Sequence, residues 1–407
     1  MDIYEPQEDS YLLQKWVREL ALGRVLDVGT GSGIQALTAA ESKNIKEILA
    51  IDINEEALQQ LKQKTKLLRK IQVQKSDIFE NVEDKFDTII FNPPYLPQDK
   101  GIEDLALYGG KKGWEISERF FNQVSKYLVA KGKILFLFSS YTNKEKIEEI
   151  LQKNLLEFRE LESKRQAMFE ELYVYLIEKS ELLRELERKG IEQVHYLAKG
   201  KRGLVYSGIW KTHHQVKSHF AKEKLLEVAI KTENPRSTAL SRMENEAKWL
   251  ERLNQEGIGP KLYFTGKNVE NNYLVMELII GERWGEWLKD KSKEEIKKTI
   301  IQILKQLYRL DQLKVNKEEL HHPYKHILIE SLQEPILIDF ERCKKTEKPT
   351  NITQFLECLC RMKEELELKG IKIEVEQLRK LGGEYKSDYS LQKFKEIQEI
   401  IINYSSI

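Results

Sequence analysis

The chain has 407 residues, with 67 Lys and Arg against 66 Asp and Glu, a net charge of +1, 33% charged residues and 41% hydrophobic ones. At roughly 100–200 residues per domain this length calls for two or three domains. The hydrophobic content excludes a disordered chain, and the charge balance argues against a protein that wraps nucleic acid electrostatically. The longest apolar runs, 134–138 and 274–280, fall far short of a membrane span. The opening MDIYEPQEDS has no apolar signal region, so a cytoplasmic protein with no membrane role is the expectation. The three cysteines, Cys343, Cys358 and Cys360, and all seven histidines lie beyond residue 190. A thiolate nucleophile, a histidine base and a Cys/His metal site are therefore excluded from the first half, and the cysteines read as reduced thiols.

From Arg24 onward, short apolar runs (RVLDV, EILAID, IQVQKS, FDTIIFN, GKILFLF and, after a helix, ELYVYLIE) alternate with stretches of helical period such as EEALQQLKQKTKLLRK. Alternating strands and helices predict a parallel sheet covered on both faces. VLDVGTGSGIQAL puts Asp27, Gly29, Gly31 and Gly33 where the first strand turns into a helix, and glycines there let backbone approach a ligand. The second strand ends in Asp52, placed to accept both hydroxyls of a ribose, and the third in Asp77, placed to accept from an adenine amine. Each acid alone could serve as a helix cap; their recurrence at three strand ends argues for a ligand. The fourth strand ends in Asn92-Pro93-Pro94-Tyr95. The Asn92 oxygen and the Pro93 carbonyl can both accept from one –NH2 group, two prolines stiffen the loop, and Tyr95 can wall a planar amide.

These residues resemble the class I methyltransferases that use S-adenosylmethionine, and among them the short eukaryotic and archaeal branch of HemK-like protein-glutamine N5-methyltransferases. YEPQEDSYLL (4–13), the order Asp27/GTGSG, Asp52, Asp77, NPPY, and the later Gly109-Gly110-x-x-Gly113 carry the resemblance, which covers 1–178. It implies S-adenosylmethionine held by Ser10, Asp27, Gly29, Gly31, Gly33, Asp52, Asp77 and Asn92, with Asn92, Pro93, Pro94 and Tyr95 as the catalytic loop. It also implies the GGQ glutamine of a peptide-chain release factor as substrate, and a small zinc-binding activator subunit as partner. NPPY also serves adenine and guanine amines, so N6-adenine or another amine methylation of DNA or RNA, paired with an active Ser/Thr kinase domain, is the alternative; nucleic acid is not the favoured direct substrate.

Residues 179–190 form a charged helical linker. VHYLAKGKRGLVYSGIW and KLLEVAIKTE then read as an antiparallel β unit, followed by a mostly helical region and, at 371–407, a helical tail broken at Gly382-Gly383. Gly200 and Gly203 fit a glycine-rich loop, Lys231 ends a V-A-I-K strand, Glu246 (with Glu244 as rival) is the helix acid to pair with it, the backbone near Glu277 resembles a hinge facing adenine, and Asp339 in ILIDFERC is a magnesium ligand if Mg-ATP binds. In order and spacing these resemble the protein-kinase-like fold, nearest the RIO-type and predicted archaeal Ser/Thr kinases, over 191–370. HHPYKHILIE departs from that pattern: His321 stands where the base aspartate belongs, His326 where the metal-binding asparagine belongs, and Glu319 where the first histidine belongs. A nucleotide-binding regulator is favoured over an active kinase. Zinc held by His321, His322 and His326 carries little weight without thiols or acids of clear spacing. The fold class expected is a doubly wound, Rossmann-like α/β methyltransferase domain plus a bilobal α+β protein-kinase-like domain.

Overall fold

The computed structural model describes residues 4–98, 108–166, 170–200, 202–213, 223–233, 242–267, 272–320, 322–332 and 334–403. The chain falls into two compact units, Met1–Tyr196 with Ile209–Lys224, and Leu197–Gly208 with Leu225–Ile407. No helix among the described residues is long and apolar enough to cross a membrane.

The first unit runs α1 (Glu8–Leu20), β1 (Gly23–Val28), α2 (Ile34–Ala40), β2 (Ile45–Asp52), α3 (Glu55–Lys64), β3 (Ile71–Lys75), β4 (Phe86–Phe91), α4 (Glu115–Val124), β5 (Leu128–Ser139), α5 (Lys144–Lys153), β6 (Leu156–Arg165), β7 (Glu171–Lys179) and α6 (Glu181–Arg188). One seven-stranded sheet has the order β3-β2-β1-β4-β5-β7-β6. The pairs among β1 to β5 are parallel, and β7 pairs antiparallel with both β5 and β6. Continuous apolar strands follow from burial on both faces: Ile134 to Phe138 of β5 are all fully buried. One core cluster holds Phe91, Phe120, Phe136 and Phe138, and another holds Leu13, Val25, Ala36 and Leu137. The doubly wound sheet expected for this half is present. β6 was not among the runs read from sequence. Its LEFRELESKR is mostly charged and exposed, the composition with which an edge strand resists pairing with another chain. β1 has β2 on one side and β4 on the other, so the chain reverses its winding there and opens a crevice at the strands' carboxyl ends.

The strands that follow α6 form a five-stranded sheet in the order β11-β12-β10-β9-β8, built from β8 (Ile191–Lys199), β9 (Gly203–His213), β10 (Glu223–Glu233), β11 (Leu262–Lys267) and β12 (Asn272–Glu277), with α7 (Met243–Leu253) between β10 and β11. β12 pairs antiparallel with β10 and with β11. Next come β13 (Gly281–Arg283), α8 (Trp284–Trp287), α9 (Lys293–Gln312), β14 (Val315–Asn316), β15 (Ile327–Glu330), β16 (Pro335–Leu337), β17 (Lys344–Lys345), α10 (Asn351–Arg361), α11 (Lys363–Leu368), α12 (Val375–Asp388) and α13 (Leu391–Asn403). A capping box between Ser292 and Glu295 starts α9. The Gly382-Gly383 pair does not break the tail: α12 runs through both, because packing outweighs the ~1 kcal/mol a helical glycine costs. The break falls at Tyr389, which is left-handed at φ +52°. Leu378, Tyr385, Phe394 and Ile397 belong to the same core cluster as α9 and α10. All three cysteines are buried and unpaired.

Candidate active site

The crevice of the first unit is a cleft of about 360 Å³ lined by residues from α1, the β1–α2 turn and the ends of β2, β3 and β4. Ser10, Asp27, Gly29, Gly31, Asp52, Asp77, Asn92, Pro93, Pro94 and Tyr95 all line it. Gly29 (φ +63°) and Gly31 (φ +49°) are left-handed, which L side chains rarely adopt, and a Cβ on Gly29 would meet no atom within 4 Å. The turn therefore presents bare backbone to the cleft. Gly33 is not in the lining; at φ +84°, a Cβ there would lie 2.3 Å from Leu61 Cδ1, so its bareness lets α2 and α3 pack.

Asp27 is buried, accepts from Thr30 Oγ1 (2.6 Å) and Ala36 N (3.1 Å), and has its pKa pushed up to about 7, by burial first and also by the Asp52 charge. Asp52 spreads its two oxygens over Gly31 N and Asn54 N, each at 2.8 Å, which pins the glycine turn to the end of β2. Asp77 carries an ion pair with Arg119 at 2.8 Å, a partner that strand-end reasoning did not reveal.

Asn92 donates its Nδ2 to Asp9 Oδ2 at 2.9 Å, while its Oδ1 is buried with no hydrogen-bond partner. Asp9 is 4% exposed, and its other oxygen accepts from Tyr4 Oη (3.0 Å) and Ser10 N (2.6 Å). The Asp9 oxygen accepts from the –NH2 of Asn92, which leaves the amide's carbonyl oxygen free. Burial, and next the Asp9 charge, hold the Tyr4 and Tyr95 phenols well above their ordinary range, so both stay protonated. The loop's far side leans on the second glycine group. A Cβ on Gly109 would lie 2.3 Å from Gly113 O and 2.5 Å from Pro94 O, and one on Gly113 would lie 2.6 Å from Tyr95 O. Residues 99–107, between NPPY and these glycines, lie outside the described residues.

The methyltransferase small domain family matches residues 7–169. A Methanocaldococcus jannaschii protein, provisionally named a protein N5-glutamine methyltransferase, is 39% identical over 180 residues, 42% of this chain and 90% of that protein. The chain belongs to the protein N5-glutamine methyltransferase family. The release factor glutamine methyltransferase of Streptococcus pneumoniae is 34% identical over 146 residues, 33% of this chain and 52% of that one. A solved chain of the E. cuniculi Mtq2–Trm112 complex, described as methylating the termination factor eRF1, is 27% identical with a TM-score of 0.37, covering 44% of this chain and 100% of that one. The small-domain match and both of these methyltransferase relatives leave most of the chain uncovered.

In the second unit, Lys231 of β10 meets Glu246 of α7 at 2.6 Å, Asp339 at 3.4 Å and Glu341 at 3.7 Å. Of the two rival acids, Glu246 is the one that reaches the lysine. It is 2% exposed and also accepts from Phe340 N. Nearby anions hold the Lys231 ammonium above its ordinary range against the opposing effect of burial, the largest single influence, while burial raises Glu246. Gly200 N donates to Gly203 O at 2.8 Å, closing the glycine loop, and a Cβ on Gly203 would lie 2.8 Å from Thr232 O. Glu319 and Asp339 are left-handed at φ +75° and +65°, and His326 lies between their carboxylates. His321 lies outside the described residues.

Proposed function

We propose that the first unit transfers a methyl group from S-adenosylmethionine to the side-chain nitrogen of a protein glutamine, and that this glutamine is the one in the GGQ sequence of a peptide-chain release factor. The observation that carries the reading is the buried, unpartnered Asn92 Oδ1 at the mouth of the NPPY turn. A buried carbonyl oxygen without a partner costs about 1–3 kcal/mol, and a donor brought by substrate removes that cost. Asn92 Oδ1 and the Pro93 carbonyl would take the two hydrogens of the glutamine –NH2, turning the nitrogen's delocalised lone pair out of the amide plane. Bare backbone at Gly29 and Gly31, Asp52 at the ribose and Asp77 near the adenine fit the cofactor, with Asp27 and Ser10 at its methionine end. When bound, the cofactor supplies a methyl on a positive sulfonium, an electrophile strong enough for a neutral nitrogen. Asn92 and Pro93 need only orient that nitrogen, and the proton becomes acidic once the new C–N bond forms and leaves to water. A site without histidine or cysteine suffices for that. The resemblance also brings a small activator subunit into the proposal.

The test is incubation with labelled S-adenosylmethionine and a release factor carrying GGQ, its GGA variant, DNA or tRNA, with and without the activator. Label confined to GGQ and abolished by Asn92→Ala supports the reading; label in nucleic acid, or equal label in GGA, sinks it.

We infer a second reading for the other unit: a protein-kinase-like fold that binds ATP without efficient phosphoryl transfer. Lys231, Glu246 and Asp339, drawn together from β10, α7 and the segment after β16, support it. The magnesium that a kinase-like site implies does not fit the donors present, because His326 stands where that resemblance puts an amide oxygen. ATP should raise the melting temperature, and Lys231→Ala should remove the effect. Robust phosphate transfer from labelled ATP, lost in Lys231→Ala and Asp339→Ala, would overturn the reading.

A further inference from the structure

Two groups of ligating side chains occur among the described residues: Glu246, Asp339 and Glu341, and Glu319, His326 and Asp339. The first is already filled, since Lys231 Nζ sits among its three carboxylates at 2.6, 3.4 and 3.7 Å. The second is arranged differently. Glu319 gives Oε1 to Arg342 at 2.5 Å and keeps Oε2 for the imidazole side, 3.3 Å from His326 Nε2. Asp339 gives Oδ1 to Lys231 at 3.4 Å and keeps Oδ2 for the imidazole side, 3.6 Å from His326 Nδ1. Each carboxylate thus has one oxygen held by a side-chain cation and the other turned to the same histidine. His326 Nδ1 is buried and has no hydrogen-bond partner.

Both ring nitrogens face carboxylate oxygens, and a neutral imidazole carries only one N–H, so at one of the two a lone pair meets a lone pair unless something positive lies between them. A proton is one solution. Lys317 Nζ is committed to the backbone oxygen of Asp339 and does not reach between them. A metal ion is the other solution. Zinc bonds of about 2.0–2.2 Å to nitrogen and oxygen span a separation of 3.6 Å at an angle of roughly 110–125°, near tetrahedral. Glu319 contributes a third donor, since one ligand atom from each residue lies within 4.8 Å of the others.

We propose that Glu319, His326 and Asp339 form a binding site for a transition-metal dication of the zinc type, occupied without nucleotide. One imidazole and two carboxylates suit Zn²⁺ or Mn²⁺, whereas Mg²⁺ seeks an all-oxygen octahedron. The histidine that spoils the expected magnesium position is thus the feature that selects another metal. The site stands on this geometry alone and does not depend on methyl transfer or on ATP.

The experiment uses the full chain, stripped with EDTA and dialysed, with Zn²⁺, Mn²⁺ and Mg²⁺ titrated separately by calorimetry in the absence of nucleotide. One Zn²⁺ per chain is expected, with Mg²⁺ at least tenfold weaker. His326→Ala should weaken zinc tenfold or more, and Glu319→Gln should weaken it less. His326→Asn should narrow the gap between zinc and magnesium. Circular dichroism of each variant separates lost binding from lost folding, and cobalt in place of zinc should give absorption bands that His326→Ala removes. No stoichiometric zinc, zinc binding that survives His326→Ala in a folded variant, or equal affinity for magnesium would overturn the proposal. ATP binding that persists in the zinc-free protein leaves the nucleotide reading standing whatever the metal result.

Discussion

Asp9 faces the cleft from the first turn of α1 and fixes the orientation of an amide 83 residues away in sequence. It touches Asn92 and not the reacting atoms, so it is a positioning residue. Asp9→Asn keeps the shape but replaces an acceptor-only group with one that can also donate, and Asn92 can then turn its oxygen away from substrate. Turnover should fall roughly 10- to 100-fold with cofactor affinity within about twofold of the parent. A matching loss of cofactor affinity, or a melting temperature far below the parent's, would assign Asp9 to the scaffold instead. Sequence marked Asn92, Asp27 and Asp52 because strand ends point to a crevice. It did not mark Asp9, since an acid in a helix's first turn already has a reason to be there, and its partner is visible only after folding. Asp27 yields a pH prediction. Its folded pKa of about 7 lies above the ~3.9 of an unfolded aspartate. The folded state therefore holds the proton more tightly, and the stability of the ligand-free unit falls as pH rises from about 4 to 7. Binding of the cationic cofactor favours the ionised carboxylate, so its affinity should rise with pH up to about 7 and level off. Asp27→Asn should bind more weakly and lose that pH dependence; a flat profile in the parent would refute the assignment.

The NPPY turn is rigid because of another element. Gly109 N donates to Leu96 O (3.0 Å), Gln98 N donates to Gly110 O (3.0 Å), and Leu96 bridges to Tyr108. The segment entering α4 thus forms the bed on which the turn lies. The glycines at 109 and 113 were legible as a pattern, but what they do was not. The space they leave is filled by the carbonyls of Pro94, Tyr95 and Gly113 itself, and no spacing rule names those atoms. Gly109→Ala puts a methyl 2.5 Å from Pro94 O, and the turn must shift to admit it. Since a misplacement of about 1 Å can cost on the order of a hundredfold in rate, methyl transfer should drop by that order while cofactor still binds. Calorimetric titration of cofactor beside a turnover assay measures both, and wild-type turnover would show that the bed is not rigid. β6 was missed for a related reason. Propensity and periodicity register buried strands, whereas this one is held by backbone pairing to β7 beneath a charged exterior.

At the scale of the chain, the decisive stretch is 179–190, which reads from sequence as a charged connector. As α6 it buries Leu182, Leu183 and Leu186, and Leu183 belongs to the core cluster that contains Phe136 and Phe138. Lys179, with a side chain 0% exposed, ends β7 and pairs with Glu187 of α6 at 2.6 Å. Burial lowers the pKa of that lysine, and the Glu187 carboxylate opposes the shift. Helix and sheet are therefore tied by apolar contact and by an ion pair whose removal would strand a buried charge. A charged sequence hides this because five of the eight α6 residues are ionic and three are leucine, so composition records the charges and not the stripe that Leu182, Leu183 and Leu186 form. A fragment of residues 1–178 leaves the bed of α6 open to water, whereas one of residues 1–190 covers it. With about 1.5–3 kcal/mol for each fully buried leucine, discounted for residual structure in the unfolded chain, the shorter fragment should lose roughly 3–5 kcal/mol. At 2–4 °C per kcal/mol for a unit of this size, that corresponds to about 10 °C in melting temperature. Both fragments retain every cleft residue, so in the cold their affinities for cofactor should agree within about twofold. Equal melting temperatures would mean that α6 is a connector after all. A shorter fragment that melts lower and also fails to bind cofactor below its melting point would mean that α6 shapes the cleft as well as covering the core.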